Sequence, residues 1–323
     1  MSSEFTLISR HFTRPVKRAR LGVGDDCALL AATPGHEMAV STDMLVAGTH
    51  FFVGTDPRRL GHKALAVNLS DLAAMGALPR YATLALCLPD AGDAWVEQFA
   101  AGFFALAERH DVELVGGDTT RGPLAICVTV FGEVPNAQAI RRDGAAIGDD
   151  VWVSGTLGDA ALGLMALKGE AMPDAADRAY CVGRLESPEP RVDLGLALRG
   201  VATAMIDLSD GLAGDLAHVA RASGVGARIN VDALPLSPAL RRQSHARNLR
   251  CALSGGDDYE LCFTAVVEQR ELVVAVGRSV GLTLARVGSM FAAADTNPQV
   301  LLVDGDGRIL PTLSGFDHFG AVP

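Results

Sequence analysis

The sequence has no basic run long enough to track a nucleic-acid backbone. Lys and Arg number 28 against 38 Asp and Glu, a formal net charge of -10, whereas phosphate backbones are held by clustered cations. The one basic cluster, Arg14 to Arg20, reads as a solvated surface segment. No apolar run approaches the roughly 20 residues that span a bilayer. The N-terminal MSSEFTLISRHF lacks the basic-then-apolar order of a secretory signal. The six cysteines form no C-x-x-C pair and no zinc spacing. Several sit in apolar runs, as Cys127 does, where a free thiol packs as a small hydrophobe. These absences predict a cytoplasmic protein that binds neither nucleic acid nor membrane.

Common catalytic signatures are missing too. There is no G-x-x-x-x-G-K-[ST] phosphate loop, no protein-kinase set, no G-x-S-x-G elbow and no H-E-x-x-H. Gly22-Val23-Gly24 stops short of a dinucleotide fingerprint, and the histidines are scattered.

What the chain does have is a recurring loop in which acids stand beside Gly, Ser or Thr at the ends of apolar runs. The examples are Gly22-Val23-Gly24-Asp25-Asp26, Ser41-Thr42-Asp43, Gly116-Gly117-Asp118-Thr119-Thr120, Asp207-Leu208-Ser209-Asp210-Gly211 and Ser254-Gly255-Gly256-Asp257-Asp258. Mg²⁺ takes hard oxygen ligands, usually one or two carboxylates plus water and substrate phosphates. Glycines let backbone N–H groups approach a phosphate. Carboxylates repel polyphosphates unless cations lie between, so this pattern predicts an enzyme that handles ATP through divalent metal ions. Taken singly, each motif reads as a turn before it reads as a site, and Ser209 or Asp210 could simply cap the following helix. Asp304-Gly305-Asp306-Gly307 reads as a hairpin turn. Asp71 is different. It lies in the apolar stretch Ala64 to Met75, three residues after Asn68 and so on the same helical face. A buried carboxylate needs a metal or a hydrogen-bonding partner.

Periodicity predicts a mixed α/β or α+β chain in two domains. Strands are expected at Met38–Thr42, Tyr81–Leu88, Val112–Val115 and Leu124–Phe131, with helices at Pro57–Met75 and Asp93–His110. A boundary falls between Pro135 and Gly148, giving an N-terminal ATP- and metal-binding α/β domain over 1–137 and a C-terminal α+β domain over 148–323. In the second domain, strand Val151–Val153 leads through a Gly-rich turn to a helix. The stretch Met172–Pro190, with three prolines, reads as a loose excursion.

Six motifs in order, G-V-G-D-D-C-A, S-T-D-M-L-V-A-G-T-H-F, K-A-L-A-V-N-L-S-D-L-A-A-M-G, G-G-D-T-T-R-G, I-D-L-S-D-G-L and S-G-G-D-D-Y-E-L, resemble those of the thiamine-monophosphate kinases. With G-F-D-H-F at 315–319, the resemblance covers essentially the whole chain. It implies the two-domain fold of the aminoimidazole ribonucleotide synthetase superfamily, with the N-terminal domains pairing across a homodimer. It implies transfer of the γ-phosphoryl of ATP onto thiamine monophosphate, giving thiamine diphosphate, with two or more Mg²⁺ ions. By the same resemblance Asp26, Ser41, Thr42, Asp43, Asp71, Asp118, Asp207 and Asp210 look like metal ligands. Gly117, Asp118, Arg142 and Ser209 look like ATP contacts. His50, Asp257 and Phe316 look like contacts to the thiamine. Two departures stand out: Asp257 replaces a more usual Glu, one methylene longer, and Met44 follows Asp43 where Thr is commoner. The rival readings are a sister enzyme of the superfamily, a nucleotide sensor without catalysis, and a metal-dependent phosphatase.

Overall fold

The computed structural model describes residues 4–90, 92–293 and 299–311. Phe316, expected to contact the thiamine, lies outside them. By internal contact the chain divides into two units, one of residues 1–72 and 77–137, the other of residues 73–76 and 138–323.

In the first unit, helix α1 (Glu4–Leu7) opens the described chain, and strand β1 (His36–Val46) is followed by helix α2 (Pro57–Ala74). Then come β2 (Leu78–Leu88), α3 (Asp93–Arg109), β3 (Glu113–Arg121) and β4 (Ala125–Pro135). The sheet runs β1-β4-β2-β3, antiparallel except for the parallel β2–β3 pair, so β1 and β3 are its edges. Helix α2 is buried nearly all round, with Leu60, Leu65, Leu69 and Leu72 in the core. It crosses α3 at very close range. A Cβ on Gly61 would lie 2.0 Å from the Phe99 carbonyl oxygen, and one on Gly102 would lie 1.8 Å from that of Arg58. Side chains at the crossing would push the helices apart, which fits two glycines inside otherwise good helices.

The Arg14–Arg20 segment is more than a solvated run. The Glu113 carboxylate accepts the backbone N–H groups of Lys17, Arg18 and Ala19 at 2.8–3.0 Å, and Arg18 pairs with Asp111.

The second unit continues with β5 (Asp150–Ser154), α4 (Asp159–Lys168), α5 (Ala175–Glu186), α6 (Val192–Ala197), β6 (Ala204–Asp207), α7 (Leu212–Ser223) and β7 (Gly226–Asn230). It closes with α8 (Pro238–Arg241), α9 (His245–Ser254), β8 (Leu261–Ala265), α10 (Arg270–Ser279), β9 (Leu284–Phe291), β10 (Val300–Val303) and β11 (Ile309–Leu310). Its sheet has the order β11-β10-β7-β9-β5-β8-β6. Val151, Val153, Ile206, Ile229, Val287 and Leu302 form its core together with Leu212, Leu216 and Val219 of α7.

The expected loose excursion at 172–190 contains a helix instead. Pro173, Pro188 and Pro190 flank α5 rather than interrupt it, and the Asp174 carboxylate caps it by accepting the Asp177 N–H at 2.8 Å. The hairpin at Asp304–Gly307 joins β10 to β11, as expected. Among the described residues no helix is long and apolar enough to cross a membrane.

Candidate active site

Strand β1 divides its residues by alternation. Ala39, Ser41, Asp43 and Leu45 take the more covered side, whereas Met38, Val40, Thr42 and Met44 are exposed. On the covered side β1 meets Asn68 and Asp71 of α2. The Ser41 hydroxyl donates to Asp71 Oδ2 at 2.5 Å, and the Asp43 N–H donates to Asn68 Oδ1 at 3.1 Å. A three-residue step along a helix advances about 4.5 Å. A two-residue step along a strand advances about 6.6 Å. The two steps are close enough for the pairs to meet side by side. Asn68 is fully buried and steadied by donating to the Ala64 carbonyl at 3.0 Å.

This geometry crowds two acids. Burial pushes the Asp43 carboxyl up to about 6, and the negative charge of Asp71 pushes it the same way. Such a pair favours either a proton or a cation between the carboxylates.

Asp118 is exposed on β3, at the opposite edge of the sheet. Across three strand spacings that is about 14 Å from β1. Its neighbour Gly117 has φ +148°, and a Cβ there would lie 1.9 Å from the Leu84 carbonyl oxygen, so glycine is required. Asp26 sits in an exposed turn enclosed by the Leu21–Leu29 bridge. Thr42 stands apart from Ser41 and Asp43 on the strand. Its side chain is on the other face of β1, where its hydroxyl pairs with that of Thr129 at 2.8 Å, away from the Asp43 carboxylate. His50 follows β1, and its Nδ1 accepts the Val46 N–H at 3.0 Å, which leaves Nε2 to carry the proton of the neutral ring.

In the second unit two of the acidic loops are zipped together. Pairing of β6 with β8 brings Asp207 opposite Leu261. Beyond the strands, Leu208 N–H donates to the Glu260 carbonyl at 2.9 Å, Tyr259 N–H to Leu208 at 2.8 Å, and Asp257 N–H to Ser209 at 2.8 Å. Gly256 and Gly211 have positive φ, and a Cβ on Gly256 would lie 2.5 Å from the Ser209 carbonyl oxygen. Asp257 and Tyr259 share the left-handed conformation, at φ 59° and 49°. Non-glycine residues rarely adopt it, and they do so mainly where surrounding structure enforces it. Asp207, Ser209, Asp210 and Asp257 are thus gathered on one pair of loops.

The acids of the 257–260 stretch differ in role. Asp258 and Glu260 are buried. Asp258 accepts the Gly158 N–H on both oxygens, at 3.0 and 2.8 Å. Glu260 is held by Arg184 at 2.8 Å, by Arg191 at 2.5 and 2.7 Å and by the Ser154 hydroxyl at 2.5 Å. Asp257, which precedes both, is half-buried.

Neither Ser209 nor Asp210 caps α7. Asp215, from inside the helix, reaches back, and its Oδ2 accepts the N–H groups of Asp210 and Gly211, both at 3.1 Å. Burial, followed by the charge of Asp210, pushes Asp215 up to about 7, while nearby Arg142 acts in the opposite direction. Arg142 therefore belongs to the same neighbourhood as the Asp207–Gly211 loop.

Among the described residues no group of three or more His, Cys, Asp or Glu side chains is gathered closely enough to hold a metal ion alone. The donor set still suits Mg²⁺, which commonly takes one or two carboxylates and completes its shell with water and substrate phosphates.

Comparison with known proteins bears on this arrangement. Residues 24–134 match the N-terminal domain model, and residues 146–300 the C-terminal domain model, of the AIR synthase related proteins. The thiamine-monophosphate kinase of Salmonella typhimurium is 47% identical over 326 residues, covering 98% of both chains. The chain belongs to the thiamine-monophosphate kinase family. The solved thiamine-monophosphate kinase from Stenotrophomonas maltophilia superposes with a TM-score of 0.84 at 47% identity, over 94% of this chain and 95% of that one. A structure of AaThiL complexed with AMPPCP and TMP gives 0.78 at 32% identity, over 90% and 89%.

For this member of the thiamine-monophosphate kinase family, reading of the sequence missed Asp215, Asp258 and Glu260. For Asp215 a signal existed: Leu212, Asp215, Leu216 and Val219 follow the i, i+3, i+4, i+7 spacing of one buried face, with an acid among leucines.

Proposed function

We propose that the chain transfers the γ-phosphoryl of ATP to the phosphate of thiamine monophosphate, giving thiamine diphosphate and ADP. The substrate assignment is carried by one observation, the 47% identity to a thiamine-monophosphate kinase across 98% of both chains. The complex of AaThiL with AMPPCP and TMP supports the same pairing of nucleotide and acceptor.

The acceptor is already an anionic phosphate oxygen, so the transfer needs positioning and charge neutralisation more than a general base. No side chain forms a covalent intermediate in this reading, and transfer is direct and in-line. Asp43 and Asp71, with the Ser41 hydroxyl steadying Asp71, would hold Mg²⁺ in the first unit, with Asp26 and Asp118 contributing carboxylates of their own. Asp207 and Asp210 would do so in the second. Mg²⁺ bound there neutralises phosphate charge. Gly117 brings backbone close to the nucleotide, and Arg142 and Ser209 offer donors to its phosphates. His50, Asp257 and Phe316 belong to the thiamine end, where an aromatic face suits a cationic thiazolium. Asp257 reaches one methylene less than Glu, and its fixed left-handed backbone sets where that shorter side chain starts. We further assign a homodimer, supported by the exposed Val40 and Met44 on edge strand β1, and a cytoplasmic location.

The test is product analysis of ATP with thiamine monophosphate, with and without Mg²⁺ and with and without acceptor. Thiamine diphosphate and ADP in equal amounts, only with Mg²⁺, is the expected result. Acceptor-independent release of phosphate would instead make the chain a phosphatase.

A further inference from the structure

We infer that Asp215 is a positioning residue that sets the Asp207–Gly211 loop for metal–nucleotide binding without itself being a ligand. The inference rests on the proposed assignment of Asp207 and Asp210 to that site.

The geometry assigns the role. Asp215 is 3% exposed and sits on the buried face of α7. Its Oδ2 takes the N–H groups of Asp210 and Gly211, and its own N–H donates to the Gly211 carbonyl at 3.0 Å. One residue therefore grips Gly211 from both sides. Gly211 needs that grip, because at φ 105° it is the point where the loop turns into the helix, and a Cβ there would lie 2.8 Å from Ser254 Cα.

Comparison with other helices sharpens the reading. In α5, α8 and α9 the capping side chain is the residue just before the helix, Asp174, Ser237 and Ser244. In α7 that position is Gly211, with no side chain to give. Capping by Asp215 spares the carboxylate of Asp210 and the hydroxyl of Ser209 from a duty that either could perform. It also fixes the backbone from which both project. Outer residues that orient metal ligands typically matter by 10–100-fold in metal affinity or activity.

The test uses the full chain and the variants Asp215→Ala, Asp215→Asn, Asp215→Glu and Asp210→Asn. Two quantities are measured. The first is the dissociation constant of Mg²⁺ with a non-hydrolysable ATP analogue, by titration calorimetry. The second is the pair of KM values for ATP and thiamine monophosphate. Asp215→Ala should weaken metal–nucleotide binding about 10-fold, with the KM for thiamine monophosphate changed by less than about two-fold. Asp215→Asn keeps an acceptor oxygen and should recover most of the loss. If Asp215→Ala does not fold, Asp215→Glu carries the test, because it keeps the charge but displaces the oxygen.

A helix cap with no further role would lower thermal stability and leave the metal–nucleotide affinity of the folded protein unchanged, and that result overturns the inference. So would a loss in Asp215→Asn as deep as in Asp215→Ala. Asp210→Asn separates the two levels. If it leaves affinity unchanged, the site assignment itself fails. If it weakens binding while the Asp215 variants do not, only the inference fails.

Discussion

The two units solve the same local problem with different chemistry. Each must fix the backbone of an acid, and each does so with a buried side-chain oxygen that accepts the acid's own N–H. For Asp43 the acceptor is the neutral amide of Asn68, and for Asp210 it is the carboxyl group of Asp215. The surroundings explain the difference. Around Asp43 the neighbouring acid Asp71 already raises the cost of ionisation, and a third carboxylate would add to it. Around Asp210 the acceptor Asp215 is pushed up to about 7 by burial and then by the charge of Asp210, while the two N–H groups it accepts and Arg142 act in the opposite direction. A carboxyl group is held there by those N–H groups and that cation, whereas beside Asp71 a neutral amide adds no further charge.

The largest expected effect breaks the first unit's arrangement outright. Asp43→Asn removes one carboxylate of the pair while leaving the backbone N–H that Asn68 holds. Turnover should fall by at least about 100-fold at millimolar Mg²⁺, beyond the loss typical of outer residues. Steady-state assays from micromolar to tens of millimolar Mg²⁺ decide it. A near-normal rate would remove the pair from the metal site.

A smaller effect tests why the acceptors differ. Asn68→Asp keeps an oxygen for the Asp43 N–H but loses the donor to Ala64 and adds charge beside two acids. Activity should fall about 10-fold and metal-free stability by about 1–3 kcal/mol. The opposite exchange, Asp215→Asn, should be mild. Equal penalties for the two exchanges, read from rates and thermal unfolding together, would show that local charge does not select the acceptor.

Much of this was legible in the sequence, and the reasons are local. Alternation in Ser41-Thr42-Asp43 and the three-residue spacing of Asn68 and Asp71 carry the first unit's site, because strand and helix periods are written into the chain. The same alternation could have shown that Thr42 faces away from Ser41 and Asp43. The helix at Ala175–Glu186 was hidden because prolines at its borders look like breakers when their position relative to the helix is unknown. The structural duties of Asp258 and Glu260 were illegible. Their partners Gly158, Arg184 and Arg191 lie 69 to 100 residues away, and no local pattern joins them.

The gentlest way to separate the two regions is pH. In the metal-free protein the folded pKa of Asp43 is about 6 and that of Asp215 about 7, both raised from a value near 4. Raised carboxyl groups bind more protons in the folded chain than in the unfolded one. Stability must then fall as pH rises above about 4, until each group has ionised in both states. The contribution of Asp43 levels off above about pH 6 and that of Asp215 above about pH 7. Shifts of about two units for Asp43 and about three for Asp215 correspond ideally to about 3 and about 4 kcal/mol, and residual hydration trims these to about 1–2 and about 2–3 kcal/mol. Thermal unfolding in chelator between pH 5 and 8.5 should therefore show a two-part decline. Asp43→Asn should flatten the decline only below about pH 6, whereas Asp215→Asn should also remove the part between about pH 6 and 7. Added Mg²⁺ should abolish only the share of Asp43, since a metal replaces the proton on Asp43 but has no place on Asp215. If Mg²⁺ removed both parts, Asp215 would be a ligand, and the distinction between a held acid and a holding acid would fail.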